Sequence, residues 1–530
     1  MKVSAAKSKS GILLCLIMAV VIIFGQPVLG ASEMPAAEES GQPAAEESGQ
    51  PAAEESGQPS AGASVQDDTI AQYLDGVLDL IDDQYWGKIS DKDMVDKTVQ
   101  GMFGSLDDYT TYMSNDEKNS FMDTMSGAFG GIGVTLQTSG DYILVLNVIP
   151  SSPAEKAGIL QGDKIVEADG VNLKKATIGQ ASSIIKGEVG TTVKLGIMRD
   201  QFSKTIYKEI RRAIVKMSPV TSEIRNDIGY IKLDLFNENT EEFISKALVE
   251  MDAKKITRII LDLRDNPGGE VSQAVAVARK FVPKGLITKL DYKSEKYDDL
   301  EYYSNLEKAK YKLAVLVNGG SASASEIVSG AIQDTGAGKL VGTETFGKAK
   351  FQSFIPLLTV DAFKKYRKQY SISAINAYDL MVNGIYPSDD EIAGYAKMTL
   401  GVYYTPKGKM IDGAGLTPDI KVDDPKPAGG ISVGSIKKLT VTVEPGLNAQ
   451  GEDIDNAEKL LKVMGYKIAR PDTTLDSGTV AVLKEYQKKA GLRVSGMLDK
   501  KTQISLNNDL LKIIAIYDAQ YNAAVNLLNQ

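Results

Sequence analysis

The chain contains no histidine among its 530 residues. That absence excludes a Ser-His-Asp triad and any zinc site that needs imidazole. Cysteine is nearly absent too. The one residue, Cys15, lies in an apolar run near the N-terminus, so no disulfide framework or thiol chemistry can be built downstream of it. A basic surplus is missing: the formal net charge is -9, which argues against a nucleic-acid partner. The length suffices for three or four domains, each with its own core.

What is present begins with an export pattern. Lys2, Lys7 and Lys9 precede the uncharged apolar run Gly11 to Phe24, and Val28-Leu29-Gly30 offers a cut before Ala31. Residues 1–30 are read as a signal peptide or, uncleaved, a membrane anchor, because Gly11 to Gly30 is long enough to span a bilayer. Either way the body is expected outside the cytoplasm, secreted or anchored at the cell envelope. Pro35-Ala-Ala-Glu-Glu-Ser-Gly-Gln42 recurs unchanged at 43–50 and 51–58, so 31–64 reads as a disordered tether.

The rest divides by periodicity. Residues 65–126 follow a helical pattern, with Tyr73, Leu74, Val77, Leu78 and Ile81 on one stripe. Residues 127–213 read as short strands and turns, and 214–424 as alternating strand and helix. Residues 425–435 are a Pro/Gly linker, 436–508 a small helical unit and 509–530 an amphipathic helix. The fold class is multidomain α/β.

The chemistry concentrates in 318–352. Asn318-Gly-Gly-Ser-Ala-Ser-Ala-Ser-Glu326 follows the strand run Lys312 to Val317. Lys348 stands 25 positions past Ser323, and Gln352 four further on. A lysine base must be neutral, and Lys348 sits among Phe346, Gly347, Ala349 and Phe351, neighbours that desolvate an ammonium. The bland alternative is a capping box, Ser323 closing on Glu326. A second strand–turn–helix unit, Arg258 to Leu263 followed by Asp265-Asn-Pro-Gly-Gly269, offers backbone N–H groups to an oxyanion.

The strings NGGSASASEIVSGAIQD, LVGTETFGKAKFQ, LDLRDNPGG and YYTPKGKMIDGAGLTPDI, with Gly101 to Thr110 upstream, resemble the carboxyl-terminal processing peptidases, or tail-specific proteases, over roughly 69–424. The resemblance implies Ser323 as nucleophile, Lys348 as base and Gln352 as its support. It implies an oxyanion hole from the N–H of Ala324 and of Gly268 or Gly269, a supporting Asp334, and a crotonase-like spiral of ββα units. Residues 127–213 are similar to a PDZ domain, whose Gly130-Gly131-Ile132-Gly133-Val134 loop would capture a C-terminal carboxylate beside an open strand edge. Residues 436–508 resemble a peptidoglycan-binding domain, with Tyr466, Tyr486 and Gln487 as candidate groove residues. The tail resembles the family's dimerising end. One departure is the charged, tyrosine-containing insertion Val360 to Lys397.

The expected protein is therefore an exported serine endopeptidase acting on proteins with free C-termini, with peptidoglycan and a second copy as further partners. No metal or organic cofactor is implied. The rivals are an inert PDZ and wall-binding adaptor on a protease scaffold, and a serine–lysine amidase.

Overall fold

The computed structural model describes residues 69–530 except 140, 200–203, 373, 425 and 442. The expected signal or anchor and the repeat tether lie outside the described residues. The exception is the backbone of Val20–Val21, which pairs antiparallel with Gly269–Glu270. Among the described residues, 69–101 belong to a unit of their own. In it, helix Thr69–Gln84 leaves Ile70, Tyr73, Leu74 and Leu78 exposed on its apolar stripe.

The centre of the other unit is a six-stranded sheet. Its strands run, in spatial order, Val220–Arg225, Ile228–Leu233, Arg258–Asp262, Lys312–Val317, Lys339–Gly342 and Ile420–Lys421; all neighbours after the first pair are parallel. Strand alternation sends side chains to opposite faces, and both faces here are apolar. Ile231, Leu233, Ile259, Leu261, Leu313 and Val315 join one core with helices Thr240–Ala253, Val271–Ala278 and Ala324–Thr335. Tyr230, Ile260, Ala314, Leu316 and Val341 face the other way and join a second core. A mostly parallel sheet needs cover on both faces, and here the C-terminal residues supply the second cover.

That cover corrects two expectations. The linker is not a free spacer, since Ala428 and Val433 are buried in the second core. Nor does the tail begin at 509. Helix Lys500–Tyr517 crosses that boundary, the chain breaks at Asp518 (φ -95, ψ 82), and a separate helix Ala519–Asn529 follows. The break gives Asp518 two tasks. Its carboxylate accepts the Tyr521 N–H (2.9 Å), and it pairs with Arg264 (2.9 Å). Tyr521, Ala524 and Leu528, part of the face assigned by resemblance to a partner copy, are buried in their own chain.

Between 134 and 211 the described residues form a separate six-stranded sheet, with Val134–Ser139 at one end of the order, Val171–Asn172 paired off that path and helix Ile178–Ile185 alongside. A further sheet pairs Lys350–Leu358 with the long strand Ile392–Tyr404. The insertion between them carries helices Val360–Tyr370 and Ala377–Met381 and a small core of its own.

Candidate active site

Two turns meet at the carboxyl ends of adjacent parallel strands, where open α/β sheets bind ligands. One follows Arg258–Asp262 and the other Lys312–Val317. Side chains sew them together. Asn318 Oδ1 accepts the Asp265 N–H (2.9 Å), and Asn318 Nδ2 donates to Asp265 Oδ1 (2.9 Å). Ser321 Oγ donates to the Leu263 carbonyl (2.8 Å) and Ser325 Oγ to the Asn266 carbonyl (2.9 Å).

Ser323 lies between those two serines with φ 56 and ψ -113, a strained backbone that its surroundings must hold. Its hydroxyl is buried and has no hydrogen-bond partner among the described residues. Two serines of the cluster thus serve the scaffold, and one keeps an uncommitted hydroxyl. Gly268 (φ 107) has to be glycine, because a Cβ there would stand 2.8 Å from the Ala322 carbonyl oxygen and 2.9 Å from Ser323 Cβ.

Lys348 is fully buried. Its Nζ donates to Gln352 Oε1 (2.9 Å) and lies 4.3 Å from the centroid of the Tyr109 ring. Gln352 Nε2 donates in turn to Thr399 Oγ1 (3.0 Å), and the Thr399 N–H donates to Thr110 Oγ1 (3.2 Å). Burial pushes the Lys348 pKa down to about 7; the Lys397 ammonium adds to this, while Asp107, Glu326 and Asp412 oppose it. No hydrogen bond joins Lys348 Nζ to Ser323 Oγ in this structure.

Two other residues clamp the backbones of this pair. Glu326 Oε2 accepts both the Ser323 N–H (2.8 Å) and the Lys348 N–H (2.9 Å). Its Oε1 accepts the Thr345 hydroxyl (2.5 Å) and the Gly347 N–H (2.8 Å). The Tyr403 hydroxyl bonds the Ser323 carbonyl (3.1 Å) and also the Lys348 carbonyl. Glu326 therefore does more than close a cap. The Glu326 N–H goes to the Ser323 carbonyl (2.7 Å) and leaves the hydroxyl free.

The other sequence-predicted residues separate. Among the described residues the Ala324 N–H, at the start of the helix, has no acceptor. The Gly268 N–H is taken by Asn266 Oδ1 (2.9 Å), and Gly269 is paired in register with Val21 and bridged to Phe236. Asp334 stands near the far end of the helix and organises another turn, through Thr405 Oγ1 (2.5 Å), the Lys407 N–H (3.0 Å) and Lys409 Nζ (2.9 Å). Gly130 and Gly131 are in a strand paired with Ala213–Lys216. The carbonyl of buried Ile132 accepts the Ala154 N–H (2.8 Å), and that of Gly133 accepts the Ile149 N–H (3.0 Å). Among the described residues the N–H groups of Ile132 and Gly133 have no acceptor, and Val134 opens the edge strand. Tyr486 and Gln487 are core residues: the Tyr486 hydroxyl bonds Asp509 (2.8 Å), and the Gln487 amide bonds the Met497 carbonyl (2.9 Å).

Sequence reasoning missed Tyr403, Tyr109, Thr110 and Thr399 as parts of the site. Tyr109, Thr110 and Tyr403 lie within the strings that carry the resemblance, but no local pattern distinguishes a tyrosine that clamps two carbonyls. It also missed Glu270, beside Gly269. Its carboxyl is buried, Oε1 has no partner, and burial raises its pKa to about 7.

The model of peptidase family S41 matches residues 227–422, a PDZ domain model 130–207 and a peptidoglycan binding domain model 450–506. The carboxy-terminal processing protease CtpA of Bacillus subtilis is 31% identical over 453 residues, covering 85% of this chain and 88% of the relative. The carboxy-terminal-processing protease of Bartonella bacilliformis is 33% identical over 352 residues, 65% of this chain and 73% of the relative. Among solved structures, a photosystem II D1 C-terminal processing protease aligns over 68% of this chain and 89% of its own, at 25% identity and a TM-score of 0.36. With a strand–turn–helix serine, a buried lysine and relatives matched over most of their length, the chain belongs to the carboxy-terminal processing proteases of peptidase family S41.

Proposed function

We propose that the protein is an exported endopeptidase in which Ser323 is the nucleophile and Lys348 the general base. One observation carries the reading: of the three clustered serines, only Ser323 has an uncommitted hydroxyl, and its backbone is clamped to that of a lysine whose pKa is about 7. Neutral Lys348 takes the Ser323 proton as Oγ attacks the scissile carbonyl. The N–H of Ala324, with one from the Gly268–Gly269 turn, holds the oxyanion. Lys348 then protonates the departing amine, and water hydrolyses the acyl-enzyme. Gln352 holds the amine in place, and Thr399 holds Gln352.

Substrate capture belongs to the PDZ domain. A C-terminal carboxylate would sit on the N–H groups of Ile132 and Gly133, with the chain running along Val134–Ser139. The C-terminal module would keep the enzyme at the cell wall. A homodimer through the tail is not part of this reading, since the tail's apolar face is covered in its own chain.

The test is cleavage of an unfolded protein by purified variants. Ser323→Ala should be inactive, whereas Ser321→Ala and Ser325→Ala should fold less stably yet cleave. Full activity in Ser323→Ala would remove the mechanism, whereas no cleavage by wild type would leave the inert-adaptor reading.

A further inference from the structure

The insertion after Gln352 is the part of the chain that the reaction does not use, and the structure gives it a place. Along Lys350–Leu358, alternate residues share a face: Gln352, Phe354 and Pro356 stand opposite Thr399, Lys397 and Tyr395 of the long strand. Successive rungs on that face are about 7 Å apart. The face that carries the amide of Gln352 therefore continues, without a break, into Phe354 and Pro356. Helix Asn115–Ser126 packs over it, bringing Phe121 to 5.1 Å from the Phe354 ring, and Phe354 lies 6.4 Å from the Tyr395 ring.

At the far end of this face is a cavity of about 300 Å³. Met122, Phe354, Pro356 and Tyr395 line it together with Tyr378 and Met381 of the insertion, and Lys118 and Asp389 are on its wall. Without the insertion this end of the strand pair would be open. The insertion is tied down, not loosely attached: the Leu358 N–H donates to the Ile375 carbonyl (2.9 Å), and Leu358, Tyr366, Leu380 and Ile392 share one core. Lys350–Leu358 is also the last strand of its sheet. Among the described residues no strand is paired to its outer edge until Asn376 bridges Leu357, although Val20–Val21 lies near it.

We infer that this cavity is a substrate subsite for one large apolar side chain, aromatic by preference, two to four residues from the scissile bond. The inference rests on the Ser323–Lys348 reading, because it places the cavity relative to that pair. Two methionines and three aromatic rings suit an aromatic occupant: sulfur and ring edges pack favourably on a π face. Lys118 and Asp389 also line the cavity, and the Lys118 ammonium already lies 5.0 Å from the centroid of the Tyr395 ring, which suits an electron-rich π face more than a second charge.

The experiment walks a single phenylalanine through eight positions about the cleavable bond of an otherwise alanine- and serine-rich peptide. It reads kcat/KM at each position relative to alanine. Wild type should favour phenylalanine by about tenfold or more at one position within four residues of the bond. Met381→Trp, which fills the cavity, should collapse that ratio to within about twofold; Tyr378→Ala, which removes a wall, should also lower it. A ratio needs only residual cleavage of the alanine peptide, so a general loss of activity does not mimic the effect. Labelling of wild type by a fluorophosphonate, mapped to Ser323, reads the underlying mechanism separately. Normal labelling with no preferred position, or with a preference unchanged in both variants, would overturn the subsite. Labelling elsewhere would overturn the mechanism instead.

Discussion

A lysine held at a pKa of about 7 is expensive to fold. In the unfolded chain it titrates near 10.5, so between pH 10.5 and 7 the unfolded state binds a proton that the folded state does not. Stability therefore falls as pH drops through that window. At about 1.4 kcal/mol per pH unit the total is on the order of 5 kcal/mol. Lys348→Met should abolish cleavage and yet raise the Tm at pH 7, by calorimetry; a lower Tm would mean that the amine is stabilised by partners not identified in the structure. Glu270 has the opposite sign. Its folded pKa is raised to about 7, so its stability contribution is present at low pH and lost as pH rises through 7. Glu270→Gln should gain stability over wild type at pH 8 and little at pH 5, in urea titrations at the two values; an equal effect at both would exclude a buried neutral carboxyl. At this scale the sequence was informative where residue type is itself the signal. A serine in a strand–helix junction and a lysine among apolar neighbours can be read from the chain. Tyr403 could not be, because its role depends on a hydroxyl reaching two carbonyls 80 and 55 positions away.

Elements were legible where one period dominates. The runs at 258–263 and 312–317 became parallel strands, and their alternation divides two cores cleanly. The C-terminal boundaries were not legible. A Pro/Gly-rich stretch reads as a spacer from composition alone, and only the need to cover the second face of the sheet shows that it is packed. The break at Asp518 likewise follows from a partner distant in sequence. Arg264, next to the Asp265–Gly269 turn, bonds Asp262 (2.6 Å) and Asp518 (2.9 Å), all three buried. Removing one member of a buried ionic group costs about 3–5 kcal/mol, because the other charges stay desolvated. Asp518→Ala should lower the stability of the protease core by that order in denaturant titration. A loss under about 1 kcal/mol would mean that the last helix is an appendage.

For the whole molecule, the second core makes the C-terminal module a structural layer of the protease. Residues 436–508 expressed alone would lose Ala519–Asn529, the helix that meets the sheet at Tyr230, and would expose apolar side chains of the shared core. Wall binding is therefore best read on the full chain, as co-sedimentation with peptidoglycan of wild type. The PDZ sheet touches this module as well: Gln137, on the edge strand, donates to Thr473 Oγ1 (3.0 Å). If tail capture precedes cleavage, a substrate with a free apolar C-terminus should have a higher kcat/KM than its amidated form, and deleting 134–211 should erase the difference. Equal values in wild type would remove the PDZ domain from recognition. The central claim remains the pairing of Ser323 with a neutral Lys348. The most direct measurement is the rate of fluorophosphonate labelling from pH 5 to 10, with the labelled residue mapped by mass spectrometry. The account predicts a label on Ser323, a rate that rises to a plateau with an apparent pKa of about 7, and no labelling of folded Lys348→Arg, whose guanidinium does not release a proton. A label on another serine, a rate independent of pH, or a labelled Lys348→Arg protein would contradict it.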